Sequence, residues 1–223
     1  MPTATLDART TDLFSGIRTV VFDVVGTLIE PAPSVARAYQ IAGRRQGVEL
    51  AEPEIARRFS QAWARQEAAD AAARPAFSTS QQREHDRWRL IVEEVFEWVP
   101  QTAAIFAELW DHFGRPEAWQ PVPAGCRLLA SAREAGLEVA VASNFDERLK
   151  PLANLVEPLV GIDRVFVSSE LGWRKPAPEF FREVEKKLCR KPSELLLIGD
   201  DPRLDLEAAR VVDWRAAGVE TPF

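Results

Sequence analysis

Two cysteines are all that the 223 residues contain, and neither Cys126 nor Cys189 stands in a CxxC or CxxxH spacing. That excludes a disulfide-built scaffold and argues against a zinc site, so both are expected to be buried, inert thiols. Basic blocks are missing too: the formal net charge is −6 with no Lys/Arg block. A nucleic-acid surface is therefore not expected, although a local basic pocket for a phosphorylated small molecule remains open. No segment approaches the roughly 20 apolar residues of a membrane span. The start, MPTATLDARTTDLFSG, has no basic stretch followed by an apolar run. A cytoplasmic protein without a membrane partner is the expectation. Repeats and low-complexity tracts are absent, apart from the Ala-rich QEAADAAARPA, which reads as a helix end running into a loop. Nor is there any lysine between Pro31 and Arg115.

What is present is apolar: 46% of the residues, enough to bury one good core and a second, smaller one. A Val-rich run from Val20 to Leu28, interrupted by Asp23 and containing Gly26-Thr27, predicts a strand buried on both faces. From Pro31 to Arg115 apolar residues recur at spacings of three and four, as in Trp88, Ile91, Val92, Val95 and Phe96. Helices without a strand are predicted there. From about Trp119 strand and helix alternate: AGCRLLASAREAG (helix, closed by Gly136), LEVAVASN (strand), FDERLKPLANLV (helix), RVFVSSE (strand), APEFFREVEKKLC (helix), ELLLIGDD (strand), PRLDLEAARVV (helix) and WRAAGVE (strand). The prediction is an α/β fold: a parallel sheet with helices on both faces and an all-helical insertion after the first strand. Asp213 falls where a tight turn favours Gly, a backbone that Asp tolerates better than most residues.

Asp23, Ser143 with Asn144, and Asp200 with Asp201 all fall at the carboxyl ends of predicted strands, the edge where open α/β sheets bind ligands. Any one of them alone reads as a helix cap or a turn residue. Together with Asp205 they gather carboxylates that need a counter-charge, and hard oxygen ligands of this kind suit Mg²⁺ beside a substrate phosphate. Lys175, pushed toward extended backbone by Pro176, reads either as a solvated loop lysine or as the cation that neutralises a phosphate and keeps a carboxylate ionised. Ser143 and Asn144 offer a hydroxyl and an amide to phosphate oxygens, and Gly26 allows a sharp turn over the site. Trp63, Trp88, Trp98, Trp110 and Trp119 fall on apolar stripes and are expected mainly in the helical core, with one or two facing the cleft to select an apolar or aromatic substrate.

In order and spacing, VVFDVVGTLI, VAVASN, the lysine of WRKPAPEFF and LLLIGDDPRLDLEAA resemble the four motifs of the haloacid dehalogenase-like hydrolase superfamily, over roughly Ile17 to Val219. SNFDERL and SSELGWRKPAPEFF are similar to its subgroup of haloacid dehalogenase-like hydrolase domain-containing proteins. The resemblance implies a Rossmann-like catalytic core from residues 1–30 and 116–223, with residues 31–115 as a helical cap of the first type. It implies Asp23 as a nucleophile that attacks phosphorus and forms an aspartyl-phosphate. Asp23 and Asp200 would bind Mg²⁺, with the Val25 carbonyl as a further ligand and Asp205 or Asp201 in the outer shell. Ser143 and Lys175 would hold the phosphoryl group, with Asn144, Gly26 and Thr27 in support.

Phosphatases of this superfamily usually carry a second Asp two residues after the nucleophile, as the general acid and base. Here that residue is Val25. Loss of such a group typically costs about 10²–10⁴-fold. The expectations are therefore a Mg²⁺-dependent phosphatase or phosphoryl-transfer hydrolase of weakened or atypical activity on a phosphorylated small molecule, with His85 or Glu84 as substitute acid; a hydrolase of better leaving groups such as acyl or aryl phosphates; or an idle Mg²⁺–phosphate-binding regulatory protein. A 2-haloacid dehalogenase, in which Asp23 attacks carbon without metal, fits the Asp-rich fourth motif less well. A phosphonate hydrolase needs a cap lysine that this chain lacks.

Overall fold

The computed structural model describes residues 13–97, 99–162 and 164–219, so Trp98 and the first 12 residues lie outside the description. Strand β1 (Thr19–Phe22) is buried along its whole length. The Val20–Leu28 run is not one strand: β1 stops at Phe22, and the Val24 carbonyl accepts from the Leu28 and Ile29 N–H groups at 2.8 and 3.0 Å. Gly26 turns the chain there with φ +89°. The chain then forms β2 (Ile29–Pro31), which pairs antiparallel with β3 (Trp119–Pro121). Neither short strand is visible in the apolar pattern. Between them stand α1 (Val35–Arg45), α2 (Glu52–Ala72), α3 (Gln81–Val95) and α4 (Thr102–His112). Ser34 and Ser80 cap α1 and α3 by accepting from the Arg37 and Arg83 N–H groups, and α2 starts with a proline in its first turn. These helices enclose their own apolar cluster, with Tyr39, Ile55, Ile91, Val95 and Ile105 at its centre.

After the ribbon the predicted alternation follows: α5 (Pro123–Glu134), β4 (Glu138–Ser143), α6 (Leu149–Ala153), β5 (Arg164–Val167), α7 (Ser168–Leu171), α8 (Pro178–Leu188), β6 (Leu195–Gly199), a π-helical segment (Pro202–Glu207) running into α9 (Ala208–Val211), and β7 (Arg215–Gly218). The five-stranded sheet has the order β5-β4-β1-β6-β7, every neighbouring pair parallel. Alternation splits its side chains between two layers. Val20, Phe22, Leu196 and Ile198 pack with Leu128 and Leu129 of α5. Val21, Leu195 and Leu197 pack with Phe180, Phe181 and Val184 of α8. Deleting one such buried leucine side chain to alanine would cost about 2–5 kcal/mol.

Some local expectations need correction. Helix α6 is shorter than FDERLKPLANLV suggests, because the Asp146 carboxylate accepts from the Arg148 N–H at 3.1 Å and holds a turn first. Cys189 is exposed at a left-handed helix end, φ 54°, and Cys126 is half-buried, so neither is a deeply buried thiol. Asp213 does take the left-handed conformation, at φ 64°. Among the described residues no helix is long and apolar enough to cross a membrane.

Candidate active site

The three central strands end side by side, and each delivers one polar group: Ser143 closes β4, Asp23 follows β1, and Asp200 follows β6. The Asp23 N–H donates to the Ile198 carbonyl at 2.8 Å, which carries the β1–β6 ladder one residue past the strand. Lys175 enters from the loop before α8. Its Nζ lies 2.6 Å from Asp23 Oδ1 and 2.5 Å from Asp205 Oδ1, and the Ser143 hydroxyl donates to the same Asp23 oxygen at 3.1 Å.

Each of the other site residues has a definite place. Asn144 uses both ends of its amide on the Lys175 backbone, accepting from its N–H at 2.8 Å and donating to its carbonyl at 3.0 Å. Thr27 donates to Asp200 Oδ1 at 2.9 Å. A Cβ on Gly26 would run into the Asp200 carboxylate, so this glycine is required for contact as well as for its backbone angle. Asp201 uses its side chain as a cap, accepting from the Arg203 and Leu204 N–H groups at 2.8 Å. Of Asp201 and Asp205, it is Asp205 whose oxygen joins those of Asp23 and Asp200, all within 4.8 Å of one another.

The electrostatics follow from burial with too little positive charge. Burial pushes the Asp23 carboxyl up to about 7, against the pull of Lys175 and with the Asp205 and Asp200 carboxylates adding to the rise. Burial likewise raises Asp200, opposed by the Thr27 hydrogen bond. On Lys175 burial acts downward, but Asp205 and Asp23 outweigh it and hold the ammonium above its ordinary range. One ammonium among three carboxylates leaves the cluster short of cation, and an all-oxygen donor set of this kind fits a hard divalent ion.

A family model for haloacid dehalogenase-like hydrolases matches residues 17–213, a span that contains every one of these site residues. The chain belongs to that family. It is 28% identical over 212 residues to haloacid dehalogenase-like hydrolase domain-containing protein 3 of Bos taurus, covering 92% of this chain and 83% of that protein. It is 32% identical over 120 residues to a phosphoserine phosphatase of Thermus thermophilus, covering 51% of this chain and 46% of that one. Among solved structures, the defluorinating L-2-haloacid dehalogenase Rha0230 superposes with a TM-score of 0.72 at 19% identity, over 91% of this chain and 80% of that one, a likeness of fold.

In this haloacid dehalogenase-like hydrolase, Val25 opens onto an apolar cavity of about 450 Å³ between the helical segment and the sheet edge. Trp63, Trp88, Trp110 and Trp119 all line it, half-buried, where the apolar stripes had suggested core for most of them. The stripes are apolar because they wall a space as well as pack on one another. Among the described residues, Arg148 is the one charged residue in the lining. Its guanidinium is taken up by the Asp146 carboxylate and the Trp110 carbonyl, each at 2.7 Å, and lies 3.4 Å from the centre of the Trp110 ring.

Glu84 is not free to serve as the substitute acid. Glu84 is buried, with both oxygens on Arg174 Nη1 at 2.6 and 2.5 Å and further bonds from the Thr79 and Ser168 hydroxyls. Burial works to raise its carboxyl, but Arg174 and Thr79 outweigh it and the net shift is downward. It is a fastener between α3 and the loop that carries Lys175. His85 packs edge-on against Phe106 and Trp110, with ring centres 5.0 and 4.7 Å away. The Arg174–Glu84 pair and the cavity-lining role of Arg148 and Tyr39 have no motif in the sequence. The only hint of the first was an arginine directly before Lys175.

Proposed function

We propose that this protein is a Mg²⁺-dependent phosphoryl-transfer hydrolase in which Asp23 is the nucleophile and the leaving group departs with little protonation. The observation that carries the reading is the bonding of Lys175 and Ser143 to one oxygen of Asp23, beside Asp200 and Asp205, with Val25 in place of an acid. Bound by Asp23, Asp200 and the Val25 carbonyl, with Asp205 behind, Mg²⁺ would supply the charge neutralisation that lets a phosphate dianion approach a carboxylate. Lys175 pulls Asp23 toward its ionised form against the effect of burial and neutralises a phosphoryl oxygen, Ser143 donates a second bond, and Asn144 fixes the lysine through its backbone. Thr27 and Gly26 seat Asp200. The helical segment, residues 31–115, serves as a cap that excludes water from the site. The Thermus phosphoserine phosphatase supports phosphate chemistry over the half of this chain that it matches. Halide removal from a small 2-haloacid finds less support, since such a substrate would leave most of the 450 Å³ cavity empty.

The test is phosphate release from acetyl phosphate, with and without Mg²⁺, by wild type, Asp23→Asn and Val25→Asp. Metal-dependent turnover abolished in Asp23→Asn is expected. Val25→Asp should gain about 10²-fold on alkyl phosphates, where protonation matters most. Undiminished turnover in Asp23→Asn would refute the nucleophile. A wild type inert on every phosphate, with Val25→Asp active, would make the natural protein a binder.

A further inference from the structure

We infer that the cavity above Val25 receives an aryl group, and that the substrate of the proposed hydrolase reaction is an aryl phosphate monoester whose phenolic oxygen leaves. The inference rests on the phosphoryl-transfer reading and narrows it. Val25 belongs to both places at once: it stands two residues from Asp23, and it is among the residues that line the cavity. Asn144, also in the lining, adjoins Ser143, whose hydroxyl bonds Asp23. A group attached to the phosphoryl oxygen therefore emerges into this space.

More than half of the lining residues are aromatic, and the single guanidinium among them is already paired. A sugar, an amino acid or a polyol would lose most of its hydration there, with few polar groups such as the Tyr39 and Ser60 hydroxyls in the lining to replace it. A flat apolar group would meet ring faces and edges instead, the arrangement aromatic pairs prefer. A cavity of about 150 Å³ accommodates benzene. The 450 Å³ present here is room for a fused bicyclic or somewhat larger aromatic.

The chemistry agrees with the shape. Asp23 Oδ attacks phosphorus, the P–O(aryl) bond breaks, and the electron pair leaves on the aryl oxygen as a phenolate that takes its proton from water. A water oxygen then attacks the phosphorus of the aspartyl-phosphate, the bond from phosphorus to the Asp23 oxygen breaks, and the carboxylate and inorganic phosphate are released with a proton to solvent. A phenol ionises near pH 10, as tyrosine does, about six units below water or an alcohol. An acid at position 25 is needed far less for that departure.

The experiment compares 1-naphthyl phosphate, glycerol phosphate and acetyl phosphate on the full chain with Mg²⁺. The expected result is a kcat/KM for the naphthyl ester about 10²-fold or more above that for glycerol phosphate. In Trp88→Ala, or the milder Trp88→Leu, the ratio of naphthyl to acetyl kcat/KM should fall about tenfold. Equal rates on the naphthyl and glycerol esters, or a ratio unmoved by both Trp88 variants, would overturn the aryl assignment while acetyl phosphate turnover leaves the hydrolase reading intact. Absence of turnover on all three phosphates removes the hydrolase reading instead. Quenching of tryptophan fluorescence by 1-naphthol then decides the cavity alone: saturable quenching weakened in Trp88→Ala supports an aryl site, and no quenching overturns it.

Discussion

Arg174 and Lys175 are consecutive in the chain and bonded in different directions: Arg174 to Glu84 of α3 at 2.5 Å, and Lys175 to Asp23 beyond the end of β1 at 2.6 Å. One short loop thus fastens the helical segment to the sheet portion and sets the cation beside the candidate nucleophile. Each of these bonds has a measurable consequence.

The Asp23 carboxyl has an ordinary value of 3.8 and is raised by burial to about 7. Between those values the folded protein keeps a proton that the unfolded chain has released, so rising pH favours unfolding, and the penalty is complete above about 7. Asp23→Asn should therefore melt at a higher temperature than wild type in metal-free buffer, with the gap widening from pH 5 to pH 8. Mg²⁺ should narrow the gap by giving the wild-type carboxylates a partner. A gap that stays constant across this range would contradict the burial penalty.

Glu84 shifts the other way. With its carboxyl held below the ordinary range, its stabilising share is present above the unfolded value and disappears as pH falls through the lower, folded one. Truncating one member of such a buried pair costs up to about 3–5 kcal/mol, because Arg174 then keeps only the more distant Glu67 and Asp70 carboxylates, each 3.7 Å away. Glu84→Ala should lower the unfolding free energy obtained from urea titration by that amount at pH 7 and by clearly less at pH 3. The double variant Glu84→Ala with Arg174→Met should recover part of the loss; no recovery would mean that the pair is not the source.

Gly26 is tested by adding one methyl group. Gly26→Ala must place a Cβ against the Asp200 carboxylate while holding a positive φ. Mg²⁺ affinity measured by calorimetry is expected to fall about tenfold or more, as when a supporting contact of a metal ligand is lost. Unchanged affinity would show that Asp200 relaxes freely.

Asn144 separates positioning from direct phosphate contact. If it acts by holding the Lys175 backbone, Asn144→Ala should lower kcat about 10–100-fold with little change in the Kd of inorganic phosphate. The reverse pattern, weaker phosphate binding at unaltered kcat, would assign the amide to the ligand.

The strand-end polar residues were legible because an isolated Asp in an apolar run has few physical excuses, and the parallel sheet brings such positions to one edge. Asp213 was legible for a similar reason, since few residues accept its backbone angle. Periodicity marks tryptophans as apolar-facing but is blind to whether two stripes touch or enclose a space, so the cavity stayed hidden. Glu84 and Arg174 lie 90 residues apart, and nothing in helix α3 distinguishes a carboxylate that docks from one that is solvated. Asp201 and Asp205 could be told apart only once the π-helical turn assigned the cap to Asp201.

Besides the β2–β3 ribbon, the helical segment is held by Arg174 on Glu84, Arg148 on the Trp110 carbonyl, Arg203 on Glu67, the Glu147 N–H on Gln81, and the backbone N–H groups of Thr79 and Arg174 on the Gly172 and Phe77 carbonyls. A body held at one point swings, and a body held at two turns about the line between them. Held at more than two, it has no free motion left, so passage of any molecule too wide for the cavity mouth must wait until several of these contacts let go together.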